Sequence, residues 1–255
     1  MIIDKIRGSE HPAMRLVLPL DLPDKAKALA LVKALTGKVG FFKVGLELFV
    51  SEGPSILSEI KELDPEAGLF LDLKLHDIPA TVGRAMEAVK SFSPDLITVH
   101  TQGGLEMMKE AVAKAEGLVV LGVTVLTSLE PSSLDELNEE YRKPGLYAAR
   151  LAQRALIAGC GGLVCSSLET LDLRNRFGQA PLLVTPGIRP DWSLVAGDDQ
   201  KRIGTVSSAL SGGSDLLVIG RPIREAPDPV EACDRLLAEI SSTLRELKNN
   251  SQVQD

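Results

Sequence analysis

Short apolar runs and longer amphipathic segments alternate along the whole chain. The apolar runs read as strands at Arg15–Asp21, Val39–Gly45, Gly68–Lys74, Asp95–His100, Leu118–Leu126, Gly161–Cys165, Pro181–Pro186 and Ser214–Gly220. Each is rich in Val, Ile, Leu or Phe, as strands buried on both faces should be. Helical patterns lie between them. Asp24–Thr36 starts behind a Pro-Asp cap signal and stops before Gly37, and Ile78–Phe92 carries Pro79 in its first turn. Gly145–Ala158 stops at Gly159, Thr170–Phe177 stops at Gly178, and a last helix opens at Asp228-Pro229 and runs through Leu247. The polar residues 249–255 are expected to be a disordered tail.

Eight strand–helix units without a break in composition predict an α/β fold, a single-domain (β/α)8 TIM barrel over residues 1–248. An open, doubly wound sheet is the structural rival. It usually announces a Gly-rich first βα turn, and the first turn here is Asp21-Leu22-Pro23-Asp24.

In the third strand Leu69, Leu71 and Leu73 share one face, so Asp72 and Lys74 point together to the other, behind Phe70. Charges are expensive in an interior unless paired or used. The plain alternative is a strand picking up charges as it enters solvent. That does not explain why Asp21, Lys43, Asp72, Lys74, Thr98, His100, Thr127, Ser128 and Arg221 all fall at or just past strand ends. Barrel active sites lie at those C-terminal ends. Lys43 shares its face with Phe41 on a strand with no solvent side. Gly220-Arg221 combines close backbone approach with a guanidinium fork suited to phosphate, the alternative being an arginine that caps a helix. Thr185–Arg189 opens a long segment to Gln200 that reads as a lid, with Trp192 in it as a packing anchor. His76 reads as structural support, and His100 as a histidine that satisfies hydrogen bonds.

The 255 residues are 44% hydrophobic and 25% charged, ordinary for a soluble globular protein. A net charge of −7 and no basic stripe argue against nucleic acid. An anionic ligand would then need cations concentrated in one cleft. Cys160, Cys165 and Cys233 match no zinc or redox spacing and are expected to be buried, reduced thiols. No metal-ligand spacing is convincing, although Asp72 with Asp77 could hold Mg²⁺ weakly. Met1–Arg7 lacks an apolar core and a cleavage pattern, and no run reaches the roughly 20 apolar residues needed to span a bilayer. The expectation is a cytoplasmic protein with no membrane contact.

Asp-Leu-Lys-Leu-His-Asp-Ile-Pro at 72–79 resembles the D-x-K-x-x-D-I-P signature of the orotidine 5′-phosphate decarboxylase family. The resemblance covers essentially the whole chain. It takes in Asp21, Phe-Lys-Val-Gly at 42–45, Val-Thr-Val-Leu-Thr-Ser at 123–128, Thr-Pro-Gly-Ile-Arg at 185–189, Asp-Asp-Gln-Lys-Arg at 198–202 and Ile-Gly-Arg-Pro-Ile at 219–223. It implies decarboxylation of orotidine 5′-monophosphate to uridine 5′-monophosphate and CO₂ without cofactor or metal, the last step of pyrimidine synthesis. By resemblance, Lys43, Asp72, Lys74 and Asp77 form the catalytic array, and Lys74 protonates the carbon that loses CO₂. Asp77 would reach the other site of a homodimer with shared active sites. Asp21 and Lys43 would hold the ribose, with Thr81 and the partner subunit's Ile78 lining the site. Thr127 and Ser128 would meet the base, Pro186 would contact the substrate, and Arg189, Gln200, Gly220 and Arg221 would hold the phosphate.

Two rivals remain at this point. A Mg²⁺-dependent sugar-phosphate lyase or decarboxylase on the same scaffold would place an acidic metal ligand on strand two, where Lys43 stands. A non-catalytic barrel binding a phosphate ligand would have lost a charge from the array, and none is missing. One departure is Pro19 in strand one, which cannot donate to a ladder and could bend it.

Overall fold

All eight apolar runs form strands, and all pair in parallel with their sequence neighbours. A computed structural model describes residues 2–129, 143–193 and 202–252. The strands are β1 Leu16–Pro19, β2 Phe41–Gly45, β3 Gly68–Leu75, β4 Leu96–His100, β5 Val119–Val123, β6 Gly162–Val164, β7 Leu182–Thr185 and β8 Leu216–Val218. β8 pairs back onto β1, so the sheet closes into a barrel in the order β1 to β8. Pro19 does not bend β1 but ends it. With no N–H of its own to give, it passes the ladder to Leu20, whose N–H donates to the Lys43 carbonyl at 2.8 Å.

The helices are α1 Ile2–Gly8, α2 Lys25–Ala34, α3 Leu46–Glu52, α4 Ser55–Leu63, α5 Pro79–Lys90, α6 Leu105–Ala113, α7 Pro144–Ile157, α8 Thr170–Phe177, α9 Val206–Ser211, α10 Arg221–Arg224 and α11 Pro229–Gln252. The Asp24 carboxylate caps α2 by accepting from the Ala26 and Lys27 N–H groups. Two expectations are corrected. α11 does not stop at Leu247 but continues to Gln252, so residues 249–252 are helical rather than a loose tail. α1, which the strand–helix count did not include, brings the buried Ile6 onto the barrel interior.

Alternation along the strands divides the core in two. Val17, Phe41, Phe70, Leu96, Leu121, Leu182 and Leu216 point inward and, with Ile6, fill the barrel. Leu16, Leu18, Phe42, Val44, Leu69, Leu71, Ile97 and Val99 point outward and pack beneath the helices. Cys160, Cys165 and Cys233 are free and buried, as expected. Trp192 is also the anchor it was expected to be. Its Nε1–H donates to Glu239 at 3.3 Å, and the Arg235 guanidinium lies 4.7 Å over its ring. No helix among the described residues is long and apolar enough to cross a membrane.

Candidate active site

The inward parity that fills the lower barrel with Phe41 and Phe70 places Lys43 and Asp72 one step higher on the same faces, with Asp21 just past the end of β1. Cross-strand register does the rest, pairing Pro19 with Lys43, Lys43 with Phe70 and Gly45 with Asp72. The result is an unbroken row of alternating charge. Lys43 Nζ lies 3.2 Å from Asp21 Oδ1 and 3.1 Å from Asp72 Oδ2, and Lys74 Nζ lies 2.8 Å from Asp72 Oδ1. Gly45 makes room for this row. A Cβ there would stand 2.9 Å from Asp21 Oδ1 and 3.3 Å from Lys43 Nζ.

Thr98, in the middle of β4 rather than at its end, completes the arrangement. Its hydroxyl donates to Asp72 Oδ1 at 2.9 Å and accepts the Lys74 backbone N–H at 2.8 Å. That second bond replaces a ladder bond, because the β3–β4 register shifts between Leu71 and Leu75. Lys74 itself has φ of 49°, a left-handed conformation that a residue with a side chain adopts at a cost of order 1 kcal/mol or more. Strain of this kind collects where a side chain must be aimed. Sequence reading placed Thr98 at a strand end but gave it no role, because a hydroxyl carries no charge to betray it.

Burial and pairing compete across the row. Burial works to strip Lys43 of its proton, but Asp72 and Asp21 outweigh it and hold the ammonium above its usual pKa. Burial likewise works to protonate Asp72, and Lys43 and Lys74 reverse that, taking its pKa down to about 2. Both groups are therefore charged at neutral pH.

The row forms one wall of a cavity of about 540 Å³ at the C-terminal mouth of the barrel. Arg189, Gly220, Arg221 and Arg224 stand on the β7–β8 side, and Val125, Leu126, Thr127, Ser128 and Pro186 line the space between. The cation cluster that an acidic chain would need for an anion is thus present. Arg224 is an addition to the residues expected from the sequence, and Thr98, expected near the site, gains a role there. Asp77, Ile78 and Thr81 are not in the lining. Asp77 lies on the exposed β3–α5 turn, where its carboxylate accepts the Ile78 N–H at 2.6 Å, and Ile78 is 65% exposed. Gln200 and most of the expected lid lie outside the described residues.

Among the described residues no three His, Cys, Asp or Glu side chains gather as a metal-ligand set. The Asp72–Asp77 pairing weighed for Mg²⁺ is not formed: Asp72 is committed to two ammonium groups, and Asp77 folds onto its own turn. His100 stacks on His76 with ring centroids 5.4 Å apart. Burial, His76 and Lys74 all lower its pKa.

Residues 14–236 match the model of the family described as Orotidine 5'-phosphate decarboxylase / HUMPS family. An orotidine 5'-phosphate decarboxylase of Anaeromyxobacter dehalogenans is 43% identical over 89% of this chain and 98% of its own. One of Desulfosudis oleivorans is 43% identical over 93% of this chain and 97% of its own. The crystal structure of orotidine 5'-phosphate decarboxylase from Lactobacillus acidophilus superposes with a TM-score of 0.74 at 32% identity, over 88% of this chain and 98% of that one.

Proposed function

The chain belongs to the orotidine 5'-phosphate decarboxylase / HUMPS family, and we propose a division of labour among its residues for decarboxylating orotidine 5′-monophosphate to uridine 5′-monophosphate and CO₂. The observation that carries this reading is the Asp21–Lys43–Asp72–Lys74 row facing an arginine cluster across one cavity. The substrate has two matching poles, a phosphate and a carboxylated ring.

Arg189, Gly220 and Arg221, with Gln200, hold the phosphate, and Asp21 and Lys43 hold the ribose hydroxyls. Thr127 and Ser128 meet the base, beside Pro186. The ring carbon that bears the carboxylate then lies against Lys74. When the bond to the carboxylate breaks, CO₂ leaves and its electron pair stays on the ring carbon. The Lys74 ammonium, fixed beforehand by Asp72, stabilises that charge and then gives the carbon its proton. The resulting amine recovers a proton from solvent. Asp72, held ionised by Lys43 and Lys74, has no proton to give in its place. Phosphate binding far from the reacting carbon contributes energy for orientation and closure.

Asp77 enters this scheme through a second copy of the chain. It lies with Ile78 on an exposed turn, and Leu46 (55% exposed) and Val50 (79% exposed) leave apolar surface on α3 of the preceding unit. We read this face as the interface of a homodimer in which the partner subunit's Asp77 and the partner subunit's Ile78 complete each cavity. The three buried thiols accord with a reducing, cytoplasmic setting.

Loss of orotidine monophosphate absorbance by purified protein in excess chelator tests the chemistry. Turnover should be unaffected by the chelator; activity that vanishes and returns with Mg²⁺ would overturn the metal-free reading. Subunit mixing tests the shared site. Asp77→Ala and Lys74→Ala protomers are each expected to be nearly inactive alone. Equal amounts allowed to exchange should recover about a quarter of parental activity, because half the dimers then carry one intact site. No recovery after confirmed exchange would place Asp77 in its own chain's site.

A further inference from the structure

Arg224 is a charged cavity residue that the scheme above leaves unused. It lies three residues after Arg221 on α10, so the two side chains share a helical face, and both line the cavity. Its guanidinium crosses from the β8 turn to the end of β1. There Nη1 donates to the Asp21 backbone carbonyl. Asp21 in turn holds Lys43, so one arginine links the phosphate end of the cavity to the first member of the charged row.

Three further details set Arg224 apart from a surface arginine. Its Nε is buried without a hydrogen-bond partner, a loss that an idle arginine would relieve by swinging into water. Its Nη2 has no partner among the described residues. The bare Cα of Gly220 lets the guanidinium and Pro19 close over the turn. A Cβ at Gly220 would stand 2.7 Å from Pro19 Cγ and 3.4 Å from Arg224 Nε. The phosphate turn, the end of β1 and this guanidinium are therefore packed as one unit.

We propose that Arg224 is a positioning residue that ties the phosphate-gripping turn to Asp21, so that an occupied phosphate site sets the Asp21–Lys43 pair for the sugar. This rests on the reading of Arg221 as a phosphate ligand. An anion on Arg221 meets a second cation whose Nη1 is already on Asp21. Drawing that guanidinium toward the anion moves the β1 end with it. A lysine could supply the charge but not the two-ended fork.

The test compares the parent with Arg224→Ala and Arg224→Lys, on orotidine monophosphate and on the phosphate-free nucleoside orotidine with and without inorganic phosphite. Arg224→Ala should lower kcat/KM for the nucleotide by about 30-fold or more, and should cut the activation of the nucleoside by phosphite at least about tenfold. Arg224→Lys should recover part of KM but not kcat. A simple staple between two loops would lower activated and unactivated turnover alike, leaving their ratio unchanged, and that result overturns the proposal. So does parental kinetics in Arg224→Ala. If the parent fails to decarboxylate orotidine monophosphate, the functional reading falls instead. The link is then judged by the affinity gain of uridine monophosphate over uridine, which Arg224→Ala should reduce about tenfold if the proposal holds.

Discussion

Two buried carboxylates, each clamped between two cations, stand at opposite ends of the barrel. At the N-terminal end Asp215 receives Arg7 Nε at 2.9 Å and Arg174 Nη2 at 2.8 Å, and its Oδ2 also accepts the Leu183 N–H at 2.8 Å. The guanidinium groups are themselves used up: Arg7 donates to the Gln179 and Pro181 carbonyls, and Arg174 to those of Gly178, Pro181 and Gly213. At the C-terminal end Asp72 holds two lysines that open onto a cavity. An ammonium has three donors and no fixed fork, so Lys74 keeps capacity for a ligand after pairing with Asp72. Burial and ion pairing are common to both clusters. What separates a strut from a reactive site is whether the cations have donors left to give.

This contrast can be broken from either end. Lys74→Ala should lower kcat by more than about 10⁴-fold, beyond loss of a general acid alone because electrostatic stabilisation is removed too. Its thermal stability should change little, as the side chain is a third exposed. A folded variant within tenfold of the parent would remove Lys74 from the chemistry. Asp215→Ala should do the opposite. It leaves two arginines without their carboxylate and should cost about 3–5 kcal/mol by denaturant unfolding. Activity per folded molecule should stay within a few-fold, and a selective collapse of kcat would show that the two ends are coupled. Thr98→Val sharpens the comparison, since it keeps the shape and removes the hydroxyl that joins Asp72 to the Lys74 backbone. Losing aim rather than the reacting group, it should lower kcat by about 10–100-fold with KM little changed. An equal rise in KM would assign Thr98 to binding instead.

Most of this architecture was legible in the sequence because strands buried on both faces leave a strong signal. All eight runs became strands, and the parity of Phe41 with Lys43 and of Phe70 with Asp72 carried over unchanged. What escaped was of two kinds. α1 is only seven residues, too short to compete with the strand–helix rhythm, although Ile2, Ile3 and Ile6 mark one face of it. The roles of Thr98 and Arg224 run through backbone atoms of distant segments, Lys74 N and Asp21 O. No pattern of side-chain types along one segment reports a contact of that sort. Asp77 and Ile78 show a third limit. Their place in the motif is plain in the sequence, but one chain leaves them on an exposed turn.

The helix that escaped notice also decides how the molecule exchanges matter with its surroundings. With Ile6 seated among the inward side chains and Arg7 locked to Asp215, the floor of the tube is stoppered. A vessel with one mouth forces an order on traffic. Whatever enters or leaves the cavity passes the same opening at the C-terminal end of the strands. The same packing of Ile6 on the inward side chains separates the cavity from solvent at the other end of the barrel. In the proposed scheme the proton that ends the reaction accordingly comes from the wall, at Lys74, and not from a solvent column below.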